Sequence, residues 1–329
     1  MAKTISKSKT ILVTGGAGFI GSNFVHYFLK KHPDTHLINF DKLTYCGNLD
    51  NLREVEDNSH YEFVKGDICD PDSVMKVMKR ADYVIHFAAE SHVDNSIKDP
   101  FVFTRTNVLG THVLVEAAKK CGVKRFMHIS TDEVFGSISS GSFKETDPPN
   151  PSSPYSASKA AAELIVKGFV TTFNFPAIIV RFTNTFGPRQ YPEKIIPLFV
   201  TNLLEGKKVP LYGDGLHIRT WIYVADVCSA IDFLLQKGND GEIYNISGQT
   251  EITNLELTNR ILSLLGKDES SIQHVEDRLA HDRRYALDDS KIRKFGWAST
   301  HKFDQSLKET VQWYVDNEWW WKKLKGKSN

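Results

Sequence analysis

Tyr155 and Lys159 stand four residues apart in PYSASKA (154–160), which opens a run of helix-forming residues. At that spacing two side chains share one helix face. A phenol with an ordinary pKa of about 10 is a weak base at neutral pH, but a nearby ammonium stabilises its phenolate. The pair can then draw a proton from a substrate hydroxyl while hydride leaves the same carbon. Upstream, Thr131, Asp132 and Glu133 are consecutive. Adjacent carboxyls divide acid and base work when their surroundings push their pKa values apart. The bland alternative is that Thr131 and Asp132 only cap a turn.

A departing hydride needs an acceptor, and TILVTGGAGFIG (10–21) supplies a place for one. A strand pattern runs into Gly15, Gly16, Gly18 and Gly21, and a helical pattern follows at once. The glycines let backbone approach a pyrophosphate, and the helix start offers free N–H groups. Asp41 ends the next strand pattern, twenty residues after Gly21. A carboxylate there accepts hydrogen bonds from a ribose and repels the extra phosphate of NADP, so NAD is the expected cofactor. Asp67 and Ile68, after a third strand, are placed to flank the adenine.

These groups need a scaffold that delivers them to one edge. Short apolar runs at 11–14, 37–41, 61–64, 83–88, 126–130 and 177–182 read as strands, separated by segments with helical periodicity. One such segment carries Ile20, Phe24, Val25, Phe28 and Leu29; another carries Val108, Val113, Leu114 and Ala117. The alternation predicts an α/β fold, a Rossmann-type doubly wound parallel sheet with a smaller mixed C-terminal substrate lobe. The expected division is an NAD-binding domain at 1–185 and a smaller substrate-binding lobe at 186–329. A strand near 241–247 is placed to rejoin the first domain.

Among 329 residues, 41 Lys and Arg balance 40 Asp and Glu, for a net charge of +1, so neither nucleic acid nor an anionic membrane is an expected partner. Cys46, Cys69, Cys121 and Cys228 are scattered, which fits no zinc site and no disulfide framework, so no metal is expected. The first ten residues are polar and no eighteen apolar residues run together, so the chain is expected to be soluble and cytoplasmic. Trp319, Trp320 and Trp321 read as anchors of a terminal helix.

With these residues in place, the chain resembles the extended short-chain dehydrogenase/reductase family, and within it the dTDP-glucose 4,6-dehydratases. The resemblance is carried by GGAGFIGSNF (15–24), FDKLTYCGNL (40–49), GDICD (66–70), HFAAESHVDNSI (86–97), STDEVFG (130–136), SPYSASKA (153–160), YPEKIIPL (191–198) and HDRRYAL (281–287). It implies a lyase cycle on a nucleotide-diphosphate hexose. Tyr155 takes the carbon-4 hydroxyl proton as hydride passes to NAD. Glu133 then takes the carbon-5 proton while Asp132 protonates the departing carbon-6 hydroxyl, and hydride returns to carbon 6. Thr131 would hold the carbon-4 oxygen and Lys159 the nicotinamide ribose.

The resemblance also implies binding residues. Gly15, Gly18, Phe19, Ile20, Gly21, Asp41, Lys42, Leu43, Thr44, Asp67, Ile68, Phe87, Ala88, Ala89, Ser91 and Thr106 would line NAD, with Tyr155 and Lys159. Ser91, Thr131, Asn184, Lys194, Ile195, Pro210, Leu211, Tyr212, Arg219, Asn254, Asp277, Arg278 and His281 would hold the substrate. Phe135, Phe186, Thr220, Leu279 and Ala280 depart from the common pattern, the last four in the expected nucleotide pocket. The same chemistry on UDP-glucose, or a 4-epimerase or decarboxylase of the same fold, is the alternative activity. Relatives pair through helices that here span 101–121 and 155–173, implying a homodimer.

Overall fold

The computed structural model describes residues 9–325; the polar lead-in at 1–8 lies outside the described residues. Apolar runs too short for helices become strands where both faces are covered: β1 (Thr10–Thr14), β2 (His36–Asp41), β3 (Tyr61–Lys65), β4 (Tyr83–His86), β5 (Arg125–Thr131) and β6 (Ala177–Phe182). Between them lie α1 (Phe19–Lys31), α2 (Pro71–Met78), α3 (Val93–Lys98), α4 (Pro100–Phe103), α5 (Gly110–Cys121) and α6 (Pro154–Phe173). The chain continues through β7 (Asn184–Phe186), α7 (Ile195–Leu204), β8 (Val209–Tyr212), β9 (Ile218–Tyr223) and α8 (Val224–Lys237). It then forms β10 (Ile243–Ile246), β11 (Thr250–Thr253), α9 (Asn254–Leu264), β12 (Ile272–Val275), α10 (Ser290–Lys294), α11 (Phe303–Asp316) and α12 (Glu318–Lys325).

The large sheet is parallel throughout, in the order β10-β6-β5-β4-β1-β2-β3. Alternation along β1 shows how it is covered. Ile11 and Val13 pack with Phe24 and Phe28 of α1 and Val227 and Ile231 of α8. Leu12 faces the other way, toward Val77 of α2, Leu114 of α5 and Val166 of α6. Strand order reverses between β1 and β4, and the crevice beyond the carboxyl ends of such a pair is where open α/β sheets bind ligands.

Beyond residue 185 the strands are short and interrupted by proline and glycine. They form a three-stranded sheet, β11-β9-β7, and the pair β12-β8. Around them Phe186, Phe199, Trp221, Ile261, Tyr314, Trp320 and Trp321 make a separate core. The chain also returns to the large sheet: β10 pairs with β6, α8 packs on α1, and Ile292 and Trp297 join that core. Between α4 and α5 the helix widens into a π turn (Thr104–Leu109), a form often found at functional sites. No helix among the described residues is long and apolar enough to cross a membrane.

Candidate active site

At the end of β1, Gly15 has φ +73° and sits so close to β4 that a Cβ would meet Ala88 N at 2.5 Å. A Cβ on Gly21 would meet the Gly15 carbonyl oxygen at 2.2 Å. No side chain caps α1, so its first N–H groups stay available to an anion. Asp41 receives the Ala17 N–H at 3.0 Å and the Leu43 N–H at 2.7 Å. Burial raises its carboxyl, and these two donors offset only part of the rise.

A cleft of about 1100 Å³, open mouth included, runs from this loop across the carboxyl edge of the sheet. Gly15, Gly18, Phe19, Ile20, Gly21, Asp41, Lys42, Thr44, Asp67, Ile68, Phe87, Ala88, Ala89, Ser91, Thr106, Tyr155 and Lys159 line it. Leu43 does not; its contribution is the backbone N–H that props Asp41. Cys46, Gly47, Ile129 and Ser130 also line the wall and were not anticipated, since none has a distinctive residue type or spacing. A close-approach glycine loop, a buried carboxylate at the next strand end and a phenol–amine pair at the far end together fit an extended dinucleotide.

The far end is built by α6. Ser153 and Ser156 form a reciprocal capping box and Pro154 starts the helix, so Tyr155 lies in its first turn. Lys159, one turn on, donates from Nζ to the Ile129 carbonyl at 2.6 Å, and burial lowers its ammonium to about 8. Burial and the Glu133 charge push the Tyr155 phenol up, while its hydrogen bond with Thr131 opposes them. The contact group of the phenol is thus Thr131, and the lysine is engaged with backbone. Asn107, in the π turn, donates to Ser158 Oγ at 2.8 Å and the Glu90 carbonyl at 3.0 Å and accepts the Glu90 N–H at 2.8 Å. It ties α6 to the cleft wall, and nothing in the sequence marked it.

Thr131 ends β5. Its hydroxyl accepts the Glu133 N–H at 3.2 Å and donates to Asp132 Oδ1 at 3.1 Å. It therefore caps a turn and touches the phenol at once, so the two roles weighed from sequence coexist. Asp132 is 3% exposed, its Oδ2 has no partner, and burial followed by the Glu133 charge raises it to about 8. Burial raises Glu133 as well, and Lys194, Arg278 and Arg219 offset only part of that rise. One carboxyl is held as the acid, and its neighbour faces three cations that favour the base.

Those cations belong to a second cleft, lined by Glu133, Asn184, Lys194, Ile195, Pro210, Leu211, Tyr212, Arg219, Asn254, Arg278 and His281. Thr131 and Asp132 sit behind Glu133, off both walls. Arg219 is aimed by the carbonyls of Ile218 (2.7 Å) and Asp282 (2.8 Å) and lies over the Tyr285 ring at 4.3 Å. Lys194 Nζ donates to the Ser91 carbonyl at 2.8 Å, a strut between the clefts. Ser91 itself faces the first cleft. Asp277 also stays off the wall; it accepts a hydrogen bond from His281 Nδ1 at 2.6 Å and lies 3.3 Å from His217 Nε2. Among the described residues this trio is the one His/Asp group with metal-like spacing, and its closest pair is already hydrogen-bonded. His92, Gln190, Glu193, Trp221 and Tyr285 are among the further residues of this wall and were not anticipated.

The departures from the common pattern lie elsewhere than expected. Phe186 is in the lobe core and Thr220 bonds the Tyr285 carbonyl, while Leu279 is 73% exposed; none of these, nor Ala280, lines the second cleft. Phe135 stacks on Phe143 with the Arg181 guanidinium over its ring, and it lines neither cleft.

The family model described as GDP-mannose 4,6 dehydratase matches residues 12–310. A dTDP-glucose 4,6-dehydratase of Streptomyces niveus is 49% identical over 320 residues, 96% of this chain and 95% of that protein. The chain belongs to the nucleotide-sugar 4,6-dehydratase family. A solved dehydratase of this family, from Streptomyces venezuelae with NAD bound, superposes with a TM-score of 0.94 at 48% identity, covering 96% of this chain and 99% of that one. A Thermotoga maritima UDP-glucose 4-epimerase also superposes, with a TM-score of 0.87 at 30% identity over 94% of this chain and 99% of that one. The fold is thus shared by two chemistries.

Proposed function

We propose that this protein converts dTDP-glucose to dTDP-4-keto-6-deoxyglucose. The observation that carries the reading is Asp132 beside Glu133, one buried as an acid and the other facing cations, where a dinucleotide cleft meets a cation-lined one. NAD, when bound, accepts hydride from carbon 4 and later supplies hydride to carbon 6. Tyr155 takes the carbon-4 hydroxyl proton, with Thr131 hydrogen-bonded to the phenol. The resulting ketone acidifies carbon 5, whose proton Glu133 removes and gives back to carbon 5 as hydride reaches carbon 6. Asp132 supplies the proton with which the carbon-6 hydroxyl leaves as water. Lys194, Arg219 and Arg278 hold the diphosphate, as guanidinium forks suit phosphate oxygens. An epimerase has no elimination to catalyse and no use for Asp132 and Glu133 together. Incubation with dTDP-glucose, and in parallel with UDP-glucose, should give a 4-keto product lighter by one water, with the thymidine sugar preferred. An unchanged mass with both sugars would end this reading.

In the same reading, residues 1–185 with the strand near 241–247 serve the cofactor and residues 186–329 the nucleotide sugar. A second copy of the chain would cover Phe101 (72% exposed), Leu109, Leu164 and Phe173, apolar side chains displayed along 101–121 and 155–173. Light scattering should report a dimer that Phe101→Asp splits. All four cysteines are free thiols, in keeping with a cytoplasmic location that fractionation of its host would test.

A further inference from the structure

Trp320 of α12 is far from the glycine loop in sequence and touches neither cleft. Its indole Nε1 nonetheless donates to Asn51 Oδ1 at 2.8 Å. The Asn51 Nδ2 donates in turn to the Ala17 carbonyl at 2.9 Å, which also receives the Asn48 N–H at 3.0 Å. The Ala17 N–H is held by Asp41 at 3.0 Å. Ala17, at the tip of the glycine loop, is therefore gripped on both sides. Its N–H is bound by the carboxylate that faces the ribose, and its carbonyl by an amide that answers to Trp320.

The direction of that amide is not free. An indole nitrogen can only donate and a peptide carbonyl can only accept. Asn51 must therefore turn its oxygen to Trp320 and its NH₂ to Ala17; the flipped amide would set donor against donor and oxygen against oxygen. Asn51 is 3% exposed and Trp320 2%, so water cannot substitute. The backbone of Asn51 is pinned as well, by the Asn48 carbonyl at 3.1 Å and by His26 Nε2 at 2.7 Å. Lys323 of α12 adds an ion pair to Asp50 at 2.6 Å.

We propose that Trp320 is a positioning residue of the cofactor site: through the Asn51 amide it sets the Ala17 peptide and so the glycine loop that receives the dinucleotide. The proposal rests on the NAD reading above. Trp320→Phe keeps an aromatic ring and removes only the indole edge and its donor. Hydrogen exchange of the glycine-loop peptide (15–24) in the ligand-free protein should quicken about tenfold, and calorimetric NAD affinity should fall about tenfold, the factor one hydrogen bond carries. Asn51→Asp, which turns an oxygen toward the Ala17 carbonyl, should do the same. Trp321→Phe is the control, because that indole is equally buried but donates to the Tyr314 carbonyl at 2.8 Å. It should leave both readouts at the wild-type value. Unchanged loop exchange in Trp320→Phe and Asn51→Asp, or equal changes in Trp321→Phe, overturns the proposal. Wild-type protein that binds no NAD would refute the cofactor reading, and the exchange arm would still decide this one.

Discussion

Replacing Asp132 by Asn should make the protein more stable in alkali while removing its activity. The carboxyl is raised from an ordinary 3.8 to about 8, so between these values the folded state holds a proton that the unfolded state has lost. Stability then falls as pH rises, and an isosteric amide has no such dependence. The interval spans about four pH units at about 1.36 kcal/mol each, so at pH 9 the charge costs on the order of 5 kcal/mol. Against this stands the amide's own cost. Thr131 serves one oxygen and the other has no partner, so an NH₂ placed there costs about 1–3 kcal/mol. The net gain at pH 9 is on the order of 2–4 kcal/mol, and the two stability curves should cross near pH 5. Urea unfolding of the ligand-free proteins at intervals from pH 5 to 9 measures the difference directly. Loss of the proton donor should lower keto-sugar formation by about 10²–10⁴-fold. A stability difference that stays flat across this range would refute the claim that Asp132 carries its proton at neutral pH.

Glu133→Gln should oxidise the sugar at carbon 4 without eliminating water; quenched single turnovers should show a loss of two hydrogens in place of a loss of water. The rate should fall on its alkaline limb as Asp132 loses its proton near pH 8, by about tenfold per pH unit. Asp41→Ala frees the Ala17 and Leu43 N–H groups and removes the ribose acceptor, so NAD affinity measured by calorimetry should drop at least about tenfold and the preference over NADP should shrink.

The large sheet was readable because its strands are buried on both faces and separated by amphipathic helices; the strand at 126–130 grew only to Arg125–Thr131. The glycine loop and Asp41 were readable because their spacing answers to one ligand shape. The small sheets were not: Asn184–Phe186 and Val209–Tyr212 are too short for periodicity to register. Lys194 could be named as a phosphate ligand from the resemblance, but its bond to the Ser91 carbonyl exists only once two lobes meet. Phe135 and Phe186 show the converse failure. Their neighbours in sequence belong to the site, yet both rings turn into apolar clusters. Side-chain direction at a strand end depends on packing that a linear pattern does not hold.

The reach of α12 back to Asn51 has a consequence for how the chain is made. Asn51 and Trp320 are separated by 269 positions, and a ribosome adding about 5–20 residues per second takes on the order of tens of seconds to cover them. The glycine loop leaves the ribosome near the start of that interval, and the donor that fixes its amide support arrives near the end. A nascent chain can complete β1, α1 and β2 and still lack a finished cofactor loop. If Trp320 positions the loop in this way, the dinucleotide is held about tenfold less tightly until the far lobe has folded, and translation products cut short before Trp320 should emerge with the sheet but with that weaker hold on the ligand.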